Sequence, residues 1–273
     1  MTEDFSYDPV TALDESSATG AAADIFSDIR KTMGIPLVTS IWRGLAGMDD
    51  NLQRVWNAAS SIYTSGHAER ALERVINQTR LPAPHALAPT QLACVGIDDV
   101  QLKSIRTIIE AYNRSNGLNM VALAGLIAPP SEDRGKVCPR TLPVWSALPS
   151  LPMREAIDAN TWDLILHINA MGASGIDAHV ATLWRHLGRW PSLLSVLYAA
   201  FLPAHADGSI ARAANQMVEL TRREGLHLAQ WRNENIALSD QARQTISGYV
   251  TSPTQVARMV TIGHTLADWL PHP

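Results

Sequence analysis

An internal repeat constrains the fold of this chain more than any other feature of its sequence. When residue 39 is aligned with residue 181, residues 39–45 lie over 181–187 without gaps, so that Trp42 meets Trp184 and Arg43 meets Arg185. Over residues 36–80 of this alignment, eleven of forty-five positions are identical, whereas random matching gives roughly three. Two copies of one unit predict a pseudo-dimer of related repeats, with equivalent helices facing each other across a central pocket.

The apolar pattern along the chain predicts an all-α fold. Ile25, Phe26, Ile29 and Met33 recur at helical spacing, and alternating β-branched runs are rare. Asp98 or Asp99 is a good N-cap for a helix that begins near residue 100. The predicted helices of the first half cover residues 21–33, 37–46, 52–63, 67–79, a short stretch after 89, 100–113 and 118–127.

A proline-rich stretch divides the two halves. Residues 129–152 hold six of the sixteen prolines, a density that no helix tolerates. Helical patterns resume at Arg154 and continue nearly to the end of the chain. We therefore expect one compact domain with a loose lead-in over 1–17, a first helical repeat over 18–128, a linker over 129–153 and a second helical repeat over 154–273.

Composition and charge exclude several classes of partner. The net charge of −4 and the absence of a basic stripe disfavour a nucleic-acid partner. The longest nearly unbroken apolar run, 120–130, is too short to span a membrane, and the acidic N-terminus has no secretory h-region. Cys94 and Cys138 form no CxxC motif, so we expect a cytoplasmic protein with free thiols and without a zinc knuckle. An internal pseudo-dimer also leaves a true homodimer open.

Four segments, in order, resemble the group I 2-haloacid dehalogenases, which act on both D and L substrates. They are residues 28–33 (DIRKTM) with Pro36, residues 111–116 (AYNRSN), the stretch from Leu148 to Leu151, and Trp190-Pro191. The resemblance spans nearly the whole chain and implies an all-α pseudo-dimer that needs no metal or organic cofactor. It also implies a reaction in which an aspartate activates a water molecule, which displaces halide from the carbon beside a carboxylate with inversion.

When the functional residues of the family are carried over one by one, some have a counterpart in this sequence and others are replaced. The asparagine that helps to hold the attacking water falls on Asn116. The position of the catalytic aspartate is occupied by Leu183, and the serine before it by Thr182. Two aromatic residues that line the family pocket are replaced by Leu37 and Ser40. We therefore expect Leu37 and Leu183 to line the substrate pocket here.

The general base therefore has two candidates. Asp177 lies six residues before Leu183, and a gap in the alignment would bring it into the role of the family aspartate; its structural alternative is an N-cap of the following helix. His186 lies one helical turn from Thr182 and breaks the repeat, because its partner is Gly44. Its structural alternative is an interface histidine packed opposite that glycine.

Symmetric polar pairs supply candidates for substrate binding. Arg43 and Arg185 are repeat partners, and two buried guanidinium groups suit a substrate carboxylate; internal ion pairs are the alternative. Ser40 and Thr182 are also partners that either bind substrate or cap nearby carbonyls. Asn116, with Asn113 and Gly117, also fits a helix terminus.

Two functions follow from these residues. The first is a cofactor-independent hydrolase that displaces halide or a similar leaving group from the alpha carbon of a small carboxylic acid. The second is a divergent member of the same fold that is either a different small-molecule enzyme or a small-carboxylate binding protein, which the leucine at position 183 favours.

Overall fold

The computed structural model describes residues 13, 15–129, 135–173 and 180–272. Within these residues it is helical and has no strand, as the sequence predicts. The helices of the first half are α1 (Gly20–Met33), α2 (Ser40–Ala46), α3 (Asn51–Thr64), α4 (His67–Thr79), α5 (Pro89–Cys94) and α6 (Asp99–Ile127). Those of the second half are α7 (Ala159–Ala170), α8 (Thr182–Leu187), α9 (Pro191–Ala206), α10 (Ser209–Leu228), α11 (Asp240–Thr251) and α12 (Val256–Trp269).

The helix order of the second half follows that of the first. Helices α8 and α10 begin at the two positions that the sequence repeat aligns with the first residues of α2 and α4. Helix α12 ends at the position aligned with the last residue of α6, and the stretch equivalent to α6 is divided into α11 and α12. The pseudo-twofold arrangement of the two halves stays a prediction.

Helix α6 is the centre of the fold. It packs against α3 and α4 of the first half and against α8, α10, α11 and α12 of the second. Its N-cap is Asp98, one of the two predicted candidates, whose side chain accepts a hydrogen bond from the Gln101 amide in a capping box. Because both halves cover it, nearly all of its residues from Ala111 to Leu126 are buried.

The prediction of two helices over 100–113 and 118–127 is wrong, because α6 runs through Asn113, Asn116 and Gly117 without a break. A side chain at Gly117 would lie 2.7 Å from Leu72 Cδ1, so the glycine gives α4 room to pack closely. Burial from both halves therefore outweighs the helix-terminating tendency of asparagine and glycine.

Helix α2 begins at Ser40, three residues later than predicted. The Val38 amide donates a hydrogen bond to Glu15 Oε2 over 2.8 Å, and Glu15 also accepts from Arg30. This bond holds the backbone before Ser40 outside the helix. Although the sequence predicts a loose lead-in up to residue 17, Glu15–Ser17 forms a 3-10 turn anchored by these contacts.

The linker contains no helix over residues 135–153, as predicted, and it forms hydrogen bonds with both halves. The Cys138 amide donates to the Ser65 carbonyl, and Trp145 Nε1 donates to the Gly34 carbonyl. Cys94 and Cys138 are in no disulfide. The linker then reaches α8, where residues 148–151 form one side of a cavity.

Within the described residues, no single helix is long and apolar enough to cross a membrane. The segments Pro191–Ala206 and Ser209–Trp231 meet the length and composition only when taken together, and they bend by 78° at their junction.

Candidate active site

Two adjoining cavities lie where the halves meet. The inner chamber has a volume of about 20 Å³, which is enough for one water molecule, since a water needs about 10–15 Å³. It is lined by Thr39, Ser40, Tyr112, Asn116, Asn169, Ala181, Thr182, Gln255, Val256, Arg258 and Met259. Both halves therefore contribute to it, as expected for a pocket between them.

The second space, the outer cavity, is larger and more open. Its volume is about 560 Å³. Its described lining residues are Glu15, Ser16, Arg30, Pro36, Leu37, Val38, Thr39, Arg43, Tyr112, Leu148, Pro149, Ser150, Leu151, Met153, Thr182, Arg185 and His186. Thr39, Tyr112 and Thr182 line both spaces, so these three side chains form the boundary between the inner chamber and the outer cavity.

Asn116, the predicted water-holding residue, lines the inner chamber from α6. Its Nδ2 donates to the Tyr112 carbonyl over 3.0 Å, and its Oδ1 accepts from the Tyr249 hydroxyl over 3.0 Å. Burial raises the pKa of Tyr249, so this tyrosine stays a protonated donor. The side-chain amide of Asn116 is thus held in one orientation at the chamber wall.

One helical turn further along α6, Asn119 forms buried hydrogen bonds that hold the chamber wall in place. Its Oδ1 accepts from Trp42 Nε1 over 3.1 Å and from the Tyr63 hydroxyl over 2.8 Å. Its Nδ2 donates to Thr39 Oγ1 over 2.8 Å. Because Thr39 lines both cavities, this buried network connects the α6 core to their boundary.

Ser40 and Thr182 are the first residues of α2 and α8, and both line the inner chamber. Their placement follows from the repeat, since the same position of equivalent helices reaches the same space. Their hydroxyl groups add donors and acceptors to a chamber that is also lined by three amide side chains, those of Asn116, Asn169 and Gln255.

His186 lies on α8 and lines the outer cavity. Its Nε2 is 2.8 Å from the Pro149 carbonyl oxygen, which only accepts, so Nε2 carries the proton. Nδ1 then accepts from the Tyr112 hydroxyl over 3.4 Å. The pKa of His186 is lowered to about 4, chiefly by burial. The bond to Pro149 opposes this shift, and the charges of Arg189 and Arg185 contribute to it. The imidazole is therefore neutral at pH 7.

Arg43 and Arg185 lie in the last turns of α2 and α8, and both line the outer cavity. They are buried, with exposed fractions of 7% and 8%. Leu37 lines the same cavity.

The carboxylate of Glu15 is the described acidic group at the wall of the outer cavity, and it accepts hydrogen bonds from Arg30 and the Val38 amide. The described part of the outer cavity thus carries an excess of positive charge.

The structure does not support a pocket role for one predicted residue and does not describe another. Leu183 is fully buried in the hydrophobic core and lines neither the inner chamber nor the outer cavity. Helix α8 turns this position toward the core while Thr182, beside it, faces both cavities. Asp177 lies in 174–179, outside the described residues.

Sequence reasoning missed Tyr112, Asn169 and Arg258 as lining residues of the inner chamber. The alignment of the two repeats places Arg258 over Asn116, so extending it beyond residue 80 would have pointed to this arginine. Arg258 is buried and is the charged residue among the described residues of the chamber wall. Among the same described parts of the chain, no three His, Cys, Asp or Glu side chains come together as a metal site.

No protein-family model matches the chain. In sequence it is similar to a configuration-inverting 2-haloacid dehalogenase of Alcaligenes xylosoxydans xylosoxydans, with 23% identity over 202 residues. That alignment covers 68% of this chain and 66% of the relative, slightly less than two thirds of its length.

The solved structures that the chain resembles cover nearly all of it. A D-2-haloacid dehalogenase mutant in complex with D-2-CPA matches with a TM-score of 0.77 and 13% identity over 97% of both chains. The D-2-haloacid dehalogenase with L-LA matches with a TM-score of 0.76 and 13% identity over 96% of both chains. The all-helical chain therefore has the fold of these haloacid dehalogenase structures, and its sequence shows a distant similarity to an enzyme that carries out dehalogenation.

Proposed function

We propose that this protein is a hydrolase that displaces halide from the alpha carbon of a small 2-halocarboxylic acid. The observation that carries the proposal is the position of Asn116 on a water-sized chamber beside a cavity lined by Arg43 and Arg185. The similarity in sequence to a configuration-inverting 2-haloacid dehalogenase supports it, and so does the shared fold.

In the proposed reaction, a water molecule occupies the inner chamber and the acid lies in the outer cavity. Asn116 holds the water, and Arg43 or Arg185 binds the carboxylate through charge-assisted hydrogen bonds. The water oxygen forms a bond to the alpha carbon as the carbon–halogen bond breaks, and the bonding electrons leave with the halide. The water loses one proton to a base, and the product is a 2-hydroxy acid of inverted configuration.

His186 is poorly suited to be this base. The lone pair on its Nδ1 already accepts a hydrogen bond from the Tyr112 hydroxyl. Its pKa of about 4 also makes the imidazole a weak proton acceptor at pH 7. Asp177 is the candidate that we propose instead. It precedes Ala181 by four residues, and Ala181 lines the inner chamber. His186 then serves to position Tyr112 at the boundary of the two cavities.

The first test is halide release from D- and L-2-bromopropionate by the purified protein, with chiral analysis of the 2-hydroxy acid. A single turnover in ¹⁸O-labelled water separates the mechanisms. Direct attack by water puts the label into the product in the first turnover. An ester intermediate would instead transfer an unlabelled protein oxygen and place the label in the protein.

Variants assign the residues. Asn116→Ala is expected to lower kcat at least a hundredfold, because the water loses its holder. Tyr249→Phe is the matched control, since it removes only the hydroxyl that fixes Asn116 Oδ1, and a loss of about tenfold or less is expected. Asp177→Asn is expected to abolish halide release, whereas retention of activity in Asp177→Asn would rule out this residue as the base.

The second candidate is a binding protein for small carboxylates. The observation that favours it is Leu183, an apolar core residue at the position aligned with the family aspartate. In that case propionate or lactate binds, Arg185→Met weakens the binding, and neither enantiomer of 2-bromopropionate releases halide above the buffer rate.

A further inference from the structure

The outer cavity is much larger than a two- or three-carbon acid requires. Its volume of about 560 Å³ falls in the range of roughly 300–1,000 Å³ that is typical of sites for drug-sized ligands. A carboxylate bound at Arg43 or Arg185 with only one or two further carbons would leave most of this space to water. The size of the cavity therefore points to a longer ligand.

The wall formed by the linker is mostly apolar, with Ser150 as its polar residue. Leu148, Leu151 and Met153 line the outer cavity from this side, and Leu37 lines it from the segment before α2. Met153 is 63% exposed, so much of its apolar surface is open to solvent. A ligand chain that covered these side chains would remove apolar surface from water, which is favourable.

This wall is held in place by hydrogen bonds from α8 and the residues after it. His186 Nε2 donates to the Pro149 carbonyl over 2.8 Å, and Arg189 Nη2 donates to Ser150 Oγ over 2.9 Å. Arg189 Nε also donates to the Ser150 carbonyl over 3.1 Å. Because the backbone at 149–150 is fixed, Leu148 and Leu151 are presented to the cavity without an ordering step on binding.

Charge is confined to other parts of the cavity. Arg43 and Arg185 come from the ends of α2 and α8, and the carboxylate of Glu15 is bound to Arg30 and the Val38 amide. His186 is neutral at pH 7. The described lining thus offers a cationic site for one anionic group and a separate apolar wall.

We propose that the preferred ligand is a carboxylic acid with an extended apolar chain, rather than a two- or three-carbon acid. Its carboxylate binds at Arg43 and Arg185, and its chain lies along Leu148, Leu151 and Met153. As a statement about the substrate, this inference depends on the proposed function, and the leaving group is then on the alpha carbon of such an acid.

The test uses racemic 2-bromo acids of increasing length: propionate, butyrate, hexanoate and octanoate. Each methylene that reaches the apolar wall is expected to raise kcat/KM by about fourfold. Leu151→Ser and Met153→Ser are expected to flatten this dependence, so that the ratio of kcat/KM for 2-bromooctanoate to that for 2-bromopropionate falls. Val144→Ser is the matched control, because Val144 belongs to the same linker but is 99% exposed and lines neither cavity. Values of kcat/KM that are flat or fall with chain length would overturn the inference while leaving the dehalogenase proposal intact.

A binding measurement separates this inference from the proposed function. Calorimetry with acetate, butyrate, hexanoate and octanoate requires no halide chemistry. Binding that tightens with length, and that loses this trend in Met153→Ser but not in Val144→Ser, would support the inference even if no acid released halide. Equal affinity for all four acids would overturn the inference. A rise in affinity with chain length that persists unchanged in Met153→Ser would also overturn it.

Discussion

The Tyr112 hydroxyl lies 3.4 Å from Nδ1 of His186, and the two rings meet edge to face with centroids 6.0 Å apart. One residue comes from the central helix of the first half and the other from the repeated helix of the second. Because Nε2 of His186 donates to Pro149, Nδ1 is the acceptor and the hydroxyl is the donor. The contact joins the two halves at the boundary between the inner chamber and the outer cavity.

Tyr112→Phe is expected to lower the free energy of unfolding by about 1 kcal/mol, because it leaves a buried ring nitrogen without its donor. Chemical denaturation measures this loss. A double-mutant cycle with His186→Ala isolates the contact, with an expected coupling of about 0.5–1.5 kcal/mol. Nitrogen NMR should find the proton on Nε2 of His186, and a protonated Nδ1 in the neutral ring would contradict the assignment.

Asn119→Ala is expected to destabilise the protein by about 3 kcal/mol or more, since it removes the acceptor shared by Trp42 and Tyr63. Two buried donors are then left unsatisfied, each at a cost of about 1–3 kcal/mol. Adding Tyr63→Phe to Asn119→Ala removes one of these donors and should restore part of the loss. If the double variant is as unstable as the sum of the single ones, the shared acceptor is not the cause.

Part of this architecture can be predicted from sequence because it depends on local patterns. The predicted bounds of α1, α3 and α4 agree with the structure to within one residue at each end, since amphipathic spacing and nearby glycine define these helices. The continuous helix α6 cannot be predicted in this way. Its asparagines and Gly117 favour a terminus locally, and only burial from both halves keeps them helical.

The candidate site likewise contains residues that can be predicted from sequence and residues whose position depends on packing. Asn116, Ser40 and Thr182 are predicted site residues, and each lines the inner chamber, because the family resemblance and the repeat both act at the level of sequence. Which side of α8 faces the cavity depends on packing, so the sequence alone does not indicate that Leu183 lies in the core. Asn169 carries no pattern that distinguishes it from other buried polar residues, and Tyr112 lies in a segment of the family resemblance that assigns it no role.

The stability of the protein should fall as the pH is lowered from about 6.5 to about 4. Burial lowers the pKa of both His186 and His264 to about 4, whereas an unfolded histidine titrates near 6.5. Between these values the unfolded chain binds more protons than the folded one, so acid favours unfolding, and above about 6.5 this effect is absent. The share of His186 is at most about 3 kcal/mol.

Urea unfolding at pH 7, 5.5 and 4.5 measures this dependence. His264→Asn is expected to reduce the slope of unfolding free energy against pH, and the double variant with His186→Asn should reduce it further. An unchanged slope in the double variant would mean that other groups cause the acid sensitivity.

Gly263→Ala is expected to destabilise the protein by about 1–3 kcal/mol, because the new methyl group would lie 2.2 Å from Asn113 Oδ1 in the tightly packed contact of α12 with α6. Gly248→Ala is the matched control in α11, where nothing lies within 4 Å, and it should stabilise by about 0.5–1 kcal/mol. Asn113→Ala combined with Gly263→Ala removes the clash, so the double variant should be less destabilised than the two single changes sum to. If the losses of stability in the two single variants instead add up to that of the double variant, the methyl group does not clash with Asn113. In that case α6 and α12 separate enough to accommodate it, and glycine at 263 is not required for their close approach.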